Sequence, residues 1–405
     1  MIFIIKTAGS MQARLWAQSD GRWFINYYLC AGKSFYRRFA TKMRPPQGGL
    51  FLSNYIIMAD LSQFDPNSVS LLSNNIFGLP TTEEDAKLVL LPVPWEVTVS
   101  YTHGTARGPE QIFKASHQVD LYDSDVKDGW KCGFFMRGVD KQLLLRSDYL
   151  RKEAELYLKF LTEGGDIGEN EFLRKTLIDV NKGTVAMNDW VYRQTKELLR
   201  NDKLVALVGG DHSTPLGFFK AIGEHKGEFG ILQIDAHCDL RDGYEGFQYS
   251  HASIMYNAIK EVPQLTKLVQ IGIRDYCEEE LDYINNSNGK VVTFFDKDIK
   301  IRQYEGDTWK MICDDIIDSL PQQVYISFDI DGLDPKLCPH TGTPVAGGFE
   351  TEQLYYLFRK IIDSGRKLIG FDLNEVSTSV SEWDANVGAR VLFKLCNLLV
   401  HSNKD

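Results

Sequence analysis

The chain has 405 residues and a net charge of −10, with apolar and charged fractions of 43% and 25% that describe a soluble globular protein with room for a large core. The acidic balance argues against nucleic acid or an anionic membrane surface as a partner, and no segment reaches the roughly 18 apolar residues of a membrane span. Seven scattered cysteines without C-x-x-C spacing fit reduced thiols and a cytoplasmic setting.

Residues 1–57 stand apart, with eight Lys/Arg against a single acid, Asp20. They are rich in aromatics (Trp16, Trp23, Tyr27 among them) yet show no steady helical or strand period. A basic segment of this kind fits an organelle transit peptide, a folded arm, or an extension upstream of a natural start at Met58. The last reading is adopted, since the remainder forms a complete domain. The expected organisation is a basic extension over 1–57 and a catalytic domain over 58–405, with an insertion at about 118–185.

The first buried strand is AKLVLLPVPW (86–95). A Gly-rich loop then leads into a helix within 99–116, with Pro109 suited to its first turn. Residues 118–185 are more charged and less regular, with helical spacing over 145–165 ended by Gly-Gly. NDWVYRQTKELLRND (188–202) reads as a further helix before the strand LVALV. Strands FGILQID, KLVQIGI, KVVTFF, QVYISFD and KLIGFDL then alternate with helices near 251–260, 277–286, 306–319, 351–364 and 385–400. Apolar strands alternating with helices predict an α/β protein, a mainly parallel sheet covered on both faces. In such sheets ligands lie beyond the carboxyl ends of the strands.

Three packets occupy such ends: VGGDHS (208–213), DAHCD (235–239) and SFDIDGLDP (327–335). In DAHCD the alternate residues Asp235, His237 and Asp239 would converge from one side of an extended backbone, with Cys238 turned away. Asp329 and Asp331 repeat the device around Ile330, and His212 adds an imidazole from a third strand end. Four carboxylates crowded together would have to take up protons unless cations neutralised them. Two divalent ions fit this oxygen-rich set: manganese first, with nickel, cobalt, iron and zinc as alternatives. Such a pair can produce hydroxide near neutral pH, the nucleophile of a hydrolase. Acids after strands also serve as helix caps, but three packets after three buried strands favour the metal reading. His251, in YSHAS, is the candidate proton shuttle, and Glu375, in GFDLNEVS, the candidate anion for a cationic substrate.

These packets, with the spacing between them, resemble the ureohydrolases (arginase, agmatinase, guanidinobutyrase, guanidinase and formimidoylglutamase) from about residue 86 to the C-terminus. The resemblance implies a three-layer α/β/α sandwich, a binuclear manganese centre, trimers or hexamers, and hydrolysis of a guanidinium C–N bond with release of urea. It implies that His212, Asp235, Asp239 and Asp329 hold one metal or bridge, and that His237 and Asp331 complete the other. His251 matches the proton-shuttling histidine, Glu375 the glutamate that pairs with guanidinium, and Thr343 a threonine beside the substrate. DAHCDLRDGYEGFQYSHAS is similar to the agmatinase branch rather than to arginase, and PWEVTVSY…GTARGP to guanidine-hydrolase-like members. Thr378 stands where the family's usual proline follows the E-V-x element. The expected substrate is a small guanidino compound without an amino-acid head: agmatine, guanidinobutyrate or guanidine. Alternatives are arginase or formimidoylglutamase activity, single-zinc amide hydrolysis, and a non-catalytic metal-binding homologue.

Overall fold

In the computed structural model, residues 2–6, 11–17, 23–29, 61, 64–377 and 381–404 are described. The chain separates into two units, Met1–Ile56 and Ile57–Asp405. In the first, β1 (Ile2–Lys6), β2 (Met11–Ala17) and β3 (Trp23–Leu29) pair as an antiparallel sheet. The sequence showed no strand period there, so these strands were not anticipated. Thr378 lies outside the described residues.

In the second unit the chain runs through β4 (Leu88–Pro92), α1 (Gly108–Ser116), β5 (Phe134–Met136), α2 (Lys141–Thr162), α3 (Glu171–Arg200) and β6 (Leu204–Val208). It continues with α4 (Leu216–Lys226), β7 (Phe229–Ile234), α5 (Ile254–Glu261), β8 (Leu265–Ile271), α6 (Glu278–Asn286) and β9 (Val291–Phe294). Last come α7 (Asp296–Tyr304), α8 (Trp309–Asp318), β10 (Gln323–Asp329), α9 (Thr351–Asp363), β11 (Lys367–Asn374) and α10 (Trp383–Ser402). Among the described residues no helix is long and apolar enough to cross a membrane.

Strands β4–β11 form one eight-stranded sheet in the order β5-β4-β6-β11-β10-β7-β8-β9. Every pairing in it is parallel. β4, β6 and β7 are buried at every position, as strands covered on both faces must be. One core cluster holds Leu90, Phe328 and Leu392, the other Val89, Phe218 and Tyr325, so the expected α/β/α layering is present. β6 and β7 are consecutive strands of this sheet but not neighbours, because β11 and β10 lie between them. The loops after these four strands therefore open side by side.

Two expectations about elements need correction. Within residues 118–185 the helix expected over 145–165 is α2, but the first half of α3, from Glu171, was not anticipated. The buried stripe of α3 (Leu173, Thr176, Val180, Thr184, Met187, Val191) is largely threonine and valine, which weakens its apolar period. The single helix expected over 306–319 is preceded by α7, whose sequence DKDIKIRQY buries only Asp296 and Ile299 and so carries little apolar signal.

Candidate active site

β6 ends at Val208, and Gly209–Asp211 carry the chain to His212 across the ends of two neighbouring strands. The Gly209 amide donates to Leu373 O (2.8 Å), the Asp211 amide to Trp95 O (2.9 Å), and the Glu375 amide to Gly210 O (2.8 Å). No side chain fits in this crossing. A Cβ on Gly209 would stand 1.7 Å from Asn374 Oδ1, and one on Gly210 1.9 Å from Trp95 O.

His212 is almost wholly buried. Its Nδ1 lies 3.0 Å from Asp235 Oδ2, 2.9 Å from Asp239 Oδ2 and 3.3 Å from Asp329 Oδ2. Its Nε2 is 3.0 Å from Ser327 Oγ, which donates in turn to Asp372 Oδ1 at 3.0 Å. That backing turns Nδ1 toward the carboxylates, as an outer partner does for a ligating histidine. His237 Nδ1 lies 3.1 Å from Asp331 Oδ2 and 3.5 Å from Asp235 Oδ1.

Backbone amides hold one oxygen of several carboxylates and leave the other facing the cluster. Asp329 Oδ1 accepts the Asp331 amide, and Asp331 Oδ1 the Ala236 amide, both at 2.9 Å. Asp239 reaches the group differently from the expected extended run. Its φ is +55°, so a left-handed turn swings its carboxylate back toward His212.

The donor set fits metal ions on its own terms. His212 Nδ1 is buried without a hydrogen-bond partner, although three carboxylate oxygens crowd around it. Two groups of converging donor atoms occur among the described residues, His212–Asp235–Asp329 and Asp235–His237–Asp331, with Asp235 common to both. In the protein alone the cluster balances charge with protons. Burial works against both imidazoles, but the surrounding aspartates prevail and raise them well above the usual histidine range. Burial, and then repulsion from Asp235, pushes Asp239 up to about 7.

Glu375 follows β11 with φ +63° and is 4% exposed. Its Oε1 accepts the His212 amide at 2.9 Å, while Oε2 is buried without a partner. Burial and the nearby Asp211 raise its carboxyl well above the ordinary range. A buried carboxylate with one free oxygen calls for a cation.

His251 pairs with Thr98 twice: its amide donates to Thr98 Oγ1 (3.2 Å) and its Nδ1 lies 3.3 Å from the same oxygen. The Tyr244 ring meets the imidazole edge-on. Burial, aided by the positive charge of His237 and His212, pushes His251 down to about 3, so the ring is neutral. His212, His237, Asp239, Asp329, His251, Thr343 and Glu375 line one cavity of about 170 Å³. Asp235 and Asp331 stand in its floor through their contacts with the two histidines. Sequence reasoning missed Ser100, Arg241, Asp275 and Tyr276, which share the wall. Arg241, in DLRDGYEG, and Asp275, in GIRDY, follow strand ends, and that position was the available signal.

A sequence model of the arginase family matches residues 86–397. The chain belongs to the arginase family. Among curated relatives, an N(1)-aminopropylagmatine ureohydrolase of Thermus thermophilus is 30% identical over 75% of this chain and 87% of that protein. An agmatinase of Neisseria meningitidis is 30% identical over 81% and 94%. Among solved structures, the agmatine ureohydrolase of Thermoplasma volcanium superposes with a TM-score of 0.59 at 21% identity, covering 79% of this chain and 92% of that one. An arginase from Bacillus cereus gives 0.54 at 19% identity, over 76% and 97%. The shared architecture is thus the three-layer arginase-family fold, and the relatives by sequence are named as ureohydrolases.

Proposed function

We propose that the chain is a binuclear-metal hydrolase that cleaves a guanidinium C–N bond of a small guanidino compound, giving urea and an amine or ammonia. One observation carries this reading: Glu375, whose buried Oε2 has no partner, lines the same cavity as His212, Asp329 and His237 of the two donor groups joined through Asp235. His212, Asp235, Asp239 and Asp329 would hold one ion, and His237 and Asp331 would complete the second with Asp235 shared. Manganese suits the set best, with nickel as the alternative. When bound, such ions supply the positive charge that makes water acidic near neutral pH.

The chain's own residues do the rest. Glu375 pairs with the guanidinium and sets its plane above the cluster, with Thr343 beside it. His251, held at Nδ1, keeps Nε2 free to take up a proton from solvent and hand it to the departing amine, returning to the neutral ring. Asp239 completes the cluster on the His212 side and limits where the reacting carbon can sit.

The substrate in this reading lacks an amino-acid head: agmatine, guanidinobutyrate or guanidine. The names of the relatives, N(1)-aminopropylagmatine ureohydrolase and agmatinase, support a guanidino amine among these. The proposal also includes a catalytic domain over 58–405, a cytoplasmic setting, and assembly into trimers or hexamers. The deciding experiment is a urea-release assay of manganese- and nickel-loaded protein on arginine, agmatine, guanidinobutyrate and guanidine. Urea from one of the last three is expected. Release from arginine alone, or from none, would overturn the proposal.

A further inference from the structure

Helices α2 and α3 lie outside the cavity wall, yet they hold both loops that shape it. Asn181 of α3 grips the 240–251 loop, donating to Gly246 O (3.2 Å) and accepting the Gln248 amide (2.9 Å). Along α2, Ser147 Oγ accepts the Glu96 amide (2.9 Å), Asp148 pairs with Arg107 (2.7 Å), and Arg151 reaches the bend between them. Arg151 Nη1 donates to Val97 O at 3.4 Å and to Val99 O, while its Nε pairs with Glu155 at 3.0 Å. Its side chain is only 14% exposed.

The residue between those two carbonyls is Thr98. The chain bends at Val97 and Thr98, and one guanidinium nitrogen holds the carbonyls of both neighbours of Thr98 across that bend. Thr98 is itself buried at 1% exposure, and its hydroxyl is the partner of His251. That oxygen meets both the backbone amide and the ring Nδ1 of His251, which fixes the ring's orientation and leaves Nε2 turned from Thr98.

We propose that Arg151 is a positioning residue for His251, holding the carbonyls of Val97 and Val99 on either side of Thr98 so that the hydroxyl fixes the orientation of the imidazole. The inference rests on the reading of His251 as the proton shuttle. It gives the α2–α3 pair a part in the chemistry that its distance in sequence from the packets conceals. A lysine offers a single nitrogen here, not the planar fork whose Nη1 reaches Val97 and Val99 while Nε reaches Glu155.

The test compares wild type with Arg151→Met, Arg151→Lys, Thr98→Val and the Arg151→Met/Thr98→Val double variant, each loaded with manganese. Two readouts are taken: hydrogen exchange of the His251 amide, which needs no turnover, and the separate values of kcat and KM for urea release. Arg151→Met and Thr98→Val should each speed exchange at His251 and lower kcat about tenfold, somewhat below the full contribution of a general acid or base, with KM changed less than about twofold. Arg151→Lys should fall between wild type and Arg151→Met. The double variant should be no worse than Thr98→Val, as expected of residues acting through one contact.

Unchanged exchange in Arg151→Met, a loss confined to KM, or effects that multiply in the double variant would overturn the proposal. If Arg151→Met does not fold, Arg151→Lys decides in its place: faster exchange and a lower kcat support it, wild-type values for both sink it. If wild type itself releases no urea, the functional reading fails, while the exchange comparison still decides the contact between Arg151, Thr98 and His251.

Discussion

Glu375 holds the backbone of His212: its Oε1 accepts the His212 amide at 2.9 Å, and its Oε2 is left for a cation. The proposed guanidinium anchor and a proposed metal ligand are therefore joined through one carboxylate. Glu375→Gln keeps a carbonyl oxygen for that amide and loses the charge. It should cost about 2–5 kcal/mol in kcat/KM, the range for breaking a buried charged pair, and leave metal content intact. Glu375→Ala should lower metal content as well. Steady-state kinetics beside metal analysis separates the two, and equal metal loss in both variants would contradict the assignment.

Asp235 belongs to both donor groups and Asp331 to one. Asp331→Ala should therefore retain one ion per chain, Asp235→Ala should hold neither firmly, and both should be inactive. Metal analysis of the dialysed variants reads this directly. Near-normal turnover in Asp331→Ala would contradict a two-ion centre.

Metal uptake should rise with pH and release protons, because Asp239 near 7 and the raised imidazoles must give theirs up to bind. The sign for the metal-free protein is opposite. Asp239 is raised from 3.8 in the folded state, so its favourable contribution is full below that value and is lost as pH climbs through about 7. Metal-free Tm should fall across that window, and added manganese should reverse the fall. Calorimetry in two buffers of different ionisation enthalpy measures the released protons. Binding with no proton release would refute the charge balance described here.

Ser327 and Asp372 back the far nitrogen of His212. Ser327→Ala should weaken metal binding by about 10–100-fold, the usual cost of losing such an outer partner, with the fold retained. A competition titration with a chelator measures it, and unchanged affinity would show that His212 is held by other means.

The packets were legible in sequence because their spacing is local and each follows a strand whose apolar run is unmistakable. The parallel sheet was legible for the same reason. What escaped was long-range: Thr98 meets His251 across 153 positions, and Arg151 meets Val97 across 54. No periodicity encodes such pairs. Asp239 was identified as a donor but given the wrong backbone, since nothing in DAHCD announces a left-handed residue. The first half of α3 was missed, while 188–202 was read as helix, because threonines stand there where a helix stripe ordinarily shows leucine.

The crossing at Gly209 has an evolutionary corollary. An alanine there would collide with Asn374 Oδ1, and Asn374 stands beside Glu375 at the end of another strand. A larger residue at 209 would need room at two neighbours at once, since its Cβ would also stand 2.5 Å from Thr214 Oγ1. Position 209 should therefore stay glycine while Asn374 and Thr214 keep their side chains, and a Gly209→Ala variant should recover function only beside truncations of both.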